Sequence, residues 1–178
     1  MIKRFLFFFF ALALIFPSLV EAVSPSPNPT AGPVDTFTLF WPIVAGKTAD
    51  DPIYFLKTFK ESVREFLIFS KYRKADYNIR LAEKRLVEAE KLYLSIKDYT
   101  NGAKSLEMAN AKRGKVLSYV GEVEKTGQNT TDLKNTLRSS LEKQKLVLLS
   151  MVAQVPENAK DAVNKDLVAI EALLSNLK

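Results

Sequence analysis

The stretch Ala45-Gly46-Lys47-Thr48 ends as a phosphate-binding loop ends, with a lysine to meet phosphate oxygens and a hydroxyl to meet magnesium. Such a loop also needs a glycine five positions before Gly46, where the backbone begins to cradle the phosphates, and that position holds Trp41. The cradle is therefore ruled out. Glu83 and Glu90 form a second suggestive pair, placed by a helix on one side, two turns and about 10.5 Å apart. Paired glycosidase carboxylates stand about 5–9.5 Å apart, so acid–base work on a sugar is not expected of them. Asp50-Asp51 is too sparse an oxygen cluster for calcium. Histidine and cysteine are both absent, which removes the usual zinc, copper and haem ligand sets together with Ser-His-Asp and Cys-His catalysis. No serine stands in a glycine-framed strained turn that would present it to a lysine. The expectation is no enzyme, with no catalytic, cofactor-binding or metal-binding residues. Asn129-Thr130-Thr131 fits a glycosylation sequon, which has meaning only in a host that glycosylates by that route.

With catalysis set aside, binding residues remain. The run VDTFTLFWPIVAGKTADD is apolar through Phe37, Leu39, Phe40, Trp41, Ile43 and Val44. It reads as an extended arm laid on the protein and anchored by Trp41. The alternative is an exposed docking strip, in which Phe40 and Trp41 join Phe55 and Phe59 as apolar docking residues. Tyr54, Phe55, Phe59, Phe66 and Phe69 recur near helical spacing and read as core, with a hydrophobic ligand pocket as the alternative. Lys71, Arg73, Lys74, Arg80 and Lys84 are candidate contacts to an anionic surface, although they wrap around their helix and suit a solvated face better. The formal net charge of +6 is compatible with anionic membranes, wall polymers or nucleic acid and selects none of them.

These residues need helices to position them. Asp51 and Pro52 signal the start of a first helix, with Leu56, Phe59, Val63 and Phe66 on one face and Lys57, Lys60, Glu61, Arg64 and Glu65 on the other. A second helix, from about Tyr72 to Tyr99, carries Tyr72, Ala75, Ile79, Ala82, Leu86, Ala89, Tyr93 and Ile96 at alternating steps of three and four. Alanine on that beat lets a neighbouring helix approach toward the low end of the ~8–10 Å interaxial range. Asn101-Gly102 supplies the expected stop. A third helix has Leu106, Ala109, Val116, Val120 and Val123 on one face, with a kink or fraying expected at Gly114 or Gly121, each costing about 1 kcal/mol against alanine. A fourth helix is capped within Asn129–Asp132 and runs to Val155, with Leu133, Leu137, Leu141, Leu148, Val152 and Val155 inward and Gln144 at the seam's edge. Pro156 then opens a fifth, faced by Val163, Leu167, Ile170, Leu174 and Leu177. Ion pairs at i,i+4 are expected for Asp76–Arg80, Lys57–Glu61, Lys84–Glu88 and Arg138–Glu142. The predicted fold is all-α, an antiparallel bundle of four to five helices over residues 51–178.

At the N-terminus, Lys3 and Arg4 precede an apolar run from Phe5 to Phe16 and a small-residue exit at Val20-Glu21-Ala22. This is the layout of a signal peptide, residues 1–22, cleaved after Ala22. An uncleaved membrane anchor is the alternative, though the run is short against the ~20 residues that span a bilayer. Residues 23–50 then form a proline-rich tether and the apolar arm.

The blocks DDPIYFLKTFKESV, KADYNIRLAEKRLVEAEKL and LLSMVAQVPENAKDAV resemble the bacterial domain-of-unknown-function family 5667 over about residues 50–178. The resemblance implies an exported or surface-associated all-helical protein, and it carries over no catalytic residue. The expected function is an extracytoplasmic, non-enzymatic structural or interaction module with a protein partner in the cell envelope. Alternatives are a holdase-type chaperone or hydrophobic carrier built on Phe55, Phe59, Phe66 and Phe69, and a binder of anionic membrane or wall polymer. Nucleic acid is not an expected partner, and the oligomeric state is open.

Overall fold

The computed structural model describes residues 34–177; the signal segment and residues 23–33 of the tether lie outside the described residues. All regular structure within that range is helical: α1 (Thr36–Leu39), α2 (Tyr54–Leu67), α3 (Lys71–Glu90) continued by a π-helical segment (Lys91–Ile96), α4 (Tyr99–Lys125), α5 (Thr131–Gln154), a 3-10 turn (Glu157–Ala159) and α6 (Lys160–Asn176). The arm, expected to be extended, therefore opens with a helical turn, because the Asp35 carboxylate accepts from the N–H groups of Phe37 and Thr38.

The alanine beat is the centre of the molecule. Ala75, Ile79, Ala82, Leu86, Ala89 and Tyr93 are all buried, and α3 makes its most extensive pairing with α4. That pairing is antiparallel: Lys71 at the start of α3 meets Glu122 near the end of α4 at 2.7 Å, while Tyr93 at the other end packs on Gly102. α5 and α6 form a second hairpin, marked by the Lys145–Glu171 ion pair and by Arg138 donating to the Leu177 carbonyl. Leu86, Ala89, Leu106, Val116, Leu133, Leu141, Val163 and Ile170 join the two hairpins in one core. That core lies wholly within the compact unit Ala31–Lys178.

Several local expectations are corrected. The stop after α3 falls at Lys97, not at Asn101-Gly102; Lys97 takes the left-handed conformation (φ 65°) and Asp98 caps α4 by accepting from the Asn101 N–H. Gly102 thus sits inside the first turn of α4. A Cβ there would lie 2.6 Å from two Tyr93 ring carbons, so glycine is what lets the ring lie against the backbone. The fraying expected at Gly114 or Gly121 does not occur, since α4 runs unbroken through both. Buried neighbours on each side, Ala109, Val116, Val120 and Val123, hold it to the core.

Candidate functional site

α2 is strongly amphipathic, and its apolar face points away from the protein. Phe55, Leu56, Phe59, Val63, Phe66 and Leu67 are exposed, Phe59 by 67% and Phe66 by 79%. Phe69, just past the helix, is exposed by 90%. The core reading of this aromatic stripe is overturned, except for Tyr54, which is buried. The residues turned inward are the polar ones, Lys57, Glu61 and Glu65, and they meet a charged strip on α3 and α4.

Three carboxylates and five cations make that contact. Glu88 of α3, fully buried, accepts from the Tyr54 hydroxyl at 2.6 Å, from Lys57 Nζ at 2.5 Å and from Arg85 Nη1 at 2.5 Å. Glu61 accepts from Lys84 at 2.7 Å and from Arg85. Glu65 accepts from Lys112 at 2.9 Å, Lys115 at 3.0 Å, Asn78 at 3.1 Å and Tyr119 at 3.2 Å. Burial pushes the Glu65 carboxyl up, but the bonds from Lys112, Lys115 and Asn78 outweigh it and hold the group at about 2. Burial likewise raises the Tyr54 hydroxyl, with Glu88 adding to the effect, and lowers the Lys57 ammonium. The expected i,i+4 pairs Lys57–Glu61 and Lys84–Glu88 are thus replaced by pairs between helices, because a buried carboxylate needs more donors than one exposed lysine supplies. Arg138 also leaves Glu142 for the Leu177 carbonyl, while Asp76–Arg80 forms as a loose contact at 3.5 Å.

The arm lies along this assembly with a different anchor from the one expected. Phe40 is buried and packs on the core, whereas Trp41 is 69% exposed and stacks edge-on against exposed Phe37. Lys57 Nζ donates to the carbonyls of Ala45 at 2.8 Å and Lys47 at 2.5 Å, Lys91 donates to Gly46 at 3.1 Å, and Thr36 donates to Glu90 at 2.6 Å. Between the arm, α2 and α3 opens a cleft of about 860 Å³, walled by Trp41, Ile43 and Val44 and rimmed by Lys60, Arg64 and Lys143. Burial raises Glu83, which lines the cleft, and Glu90; they bond separately to Ser140 and Thr36 and do not converge on a site.

Of the four apolar docking residues named from sequence, Trp41, Phe55 and Phe59 are exposed and Phe40 is not. Of the five basic ones, Lys71 pairs with Glu122, Lys84 with Glu61 and Arg80 with Asp76, while Arg73 and Lys74 make no ion pair among the described residues. The cations beside the apolar face are instead Lys60 and Arg64, which the helical spacing of α2 puts on one flank of it. α2 contains only two carboxylates, Glu61 and Glu65, and both are turned inward. Its outer surface is therefore apolar with a positive edge.

The profile of a family described as Domain of unknown function (DUF5667) matches residues 46–172. The chain belongs to the DUF5667 family. The match takes in α2 and its ionic seat and begins after Phe40 and Trp41, so the arm's apolar residues precede it. No curated protein and no solved structure matches this DUF5667 chain.

Proposed function

We propose that this DUF5667 protein is an exported, non-enzymatic interaction module, and that it docks through the outer face of α2 onto an apolar partner surface bearing negative charge. The observation that carries this reading is the orientation of α2. Leaving a phenylalanine in water forgoes about 1.5–3 kcal/mol of burial, so a helix placed for stability alone would turn its stripe inward. Here a buried charged network holds it the other way. Such a network is a weak source of stability in its own right but a good means of fixing one orientation. A contiguous apolar face on a soluble domain is the usual mark of an interaction surface. A carrier would need those rings to line a concavity, and Phe55, Phe59, Phe66 and Phe69 stand outside the cleft.

The test compares residues 31–178 with the same chain carrying Phe59→Ser and Phe66→Ser, each mixed with envelope fractions. Retention of the parent and loss of the variant, at equal helicity, is the expected result. Equal retention of both would overturn the reading, as would turnover of a metabolite by the purified protein.

A further inference from the structure

We infer that the surface α2 docks on is an anionic lipid bilayer, with the aromatic ridge of α2 and the Trp41 ridge entering the interface and the cations between them meeting lipid phosphates. This rests on the docking reading above and names its partner. Three features of the surface support it.

The first is composition. Phe55, Phe59, Phe66 and Phe69 with Trp41 and Phe37 form an exposed aromatic set, side chains of the kind that interfacial helices bury at the headgroup–acyl boundary. α2 has 14 residues, about 21 Å of helix, enough to lie in the plane of an interface. No described helix is long and apolar enough to cross a membrane.

The second is charge. Lys60, Arg64 and Lys143 rim the cleft beside the α2 face, and among the described residues none of them pairs with a carboxylate. Arg64 lies over the Tyr77 ring at 5.2 Å, which leaves its donors free for an anion. The cleft, about 860 Å³ and open to solvent between the apolar arm and the charged side of α2, has room for a headgroup.

The third concerns the other occupants. In a second copy docked face to face through α2, Lys60 and Arg64 would find no exposed α2 carboxylate to answer them. A protein receiving α2 would have to supply a groove with an acidic rim. A bilayer supplies apolar depth and negative charge together, without a shaped partner.

The chain has one tryptophan, Trp41, which reports directly on the event. Residues 31–178 are mixed with vesicles of phosphatidylglycerol and phosphatidylcholine, or of phosphatidylcholine alone, and followed by Trp41 emission and co-sedimentation. The expected result is a blue shift and sedimentation with the anionic vesicles, weakening as salt rises. Phe59→Ser with Phe66→Ser should lower that binding by on the order of tenfold or more. Lys60→Gln, Arg64→Gln and Lys143→Gln should each lower it by about fivefold while leaving helicity unchanged. Absence of binding to either vesicle overturns the inference, as does binding that these variants do not change. Envelope fractions stripped with protease separate this failure from failure of the docking reading. If intact fractions retain the parent and stripped ones do not, the partner is a protein, and lipid is wrong while docking through α2 stands. If the Phe59→Ser, Phe66→Ser variant is retained like the parent, docking through α2 falls as well.

Discussion

At the scale of single residues, charge in the interior decides more than the apolar stripes do. Arg113, 1% exposed, donates to Gln144 Oε1 at 2.7 Å and to Asp166 Oδ1. Gln144 passes the chain to Ser140 at 2.9 Å and Ser140 to Glu83 at 2.7 Å, so one polar line crosses from α6 through α4 and α5 to α3. Gln144 is therefore a central residue, not an edge one, because it is the acceptor a buried guanidinium needs. Burial pushes the Asp166 carboxyl up against the pull of Arg113, and Arg113 Nε and Asp166 Oδ2 have no hydrogen-bond partner. The pair is thus a specifying contact more than a stabilising one. Asp166→Leu, which strands the guanidinium, should lower unfolding free energy by about 3–5 kcal/mol in urea titration, and adding Arg113→Met should recover most of that loss. A single-variant loss no larger than that of an ordinary surface change would show that Arg113 escapes to water. The sequence does carry a trace of this pair: Arg113 stands four after Ala109 and three before Val116, and Asp166 three after Val163 and four before Ile170. A charge on the core beat of two different helices was the legible signal.

At the scale of elements, the α3–α4 hairpin is set by small residues at close approach. Ala82 is fully buried, and Gly102 admits the Tyr93 ring. Ala82→Leu and Gly102→Ala should each lower stability by about 1–3 kcal/mol through overpacking. Gly114→Ala, where an added Cβ meets nothing within 4 Å, should raise it by about 1 kcal/mol. Thermal melts of the three variants check the contrast, and equal effects at Gly102 and Gly114 would contradict the close contact. The alanine beat was readable because a seven-residue period reports helix contact directly. The role of Gly102 was not, since its partner is brought to it by a left-handed Lys97 that sequence alone does not announce.

At the scale of the molecule, α2 is a helix fastened by ions to a body fastened by apolar contact. Glu65, held at about 2 against an ordinary value of 4.5, contributes stability that is present above its ordinary value. That contribution is lost as pH falls from there toward 2. Hydrogen exchange over this window should show α2 losing protection before α3 to α6, and Glu65→Gln should flatten the dependence. Loss of protection by all helices in step would mean that α2 is not held separately.

Helix content, the α3 seam from Ala75 to Tyr93 and the faces of α4 to α6 were determined by sequence alone, because period and apolar pattern are local properties of a chain; Ile96, the last residue on that beat, is exposed. The same pattern marked α2 as amphipathic and went no further. Which way that helix faces depended on what α3 and α4 present opposite it, and Glu88, Arg85, Lys112 and Lys115 come from positions far along the chain. Burial of apolar surface favours one orientation and pairing of buried charge the other. Only the tertiary structure, by bringing Glu61 and Glu65 to those cations, decided for the second and left the aromatic face outside.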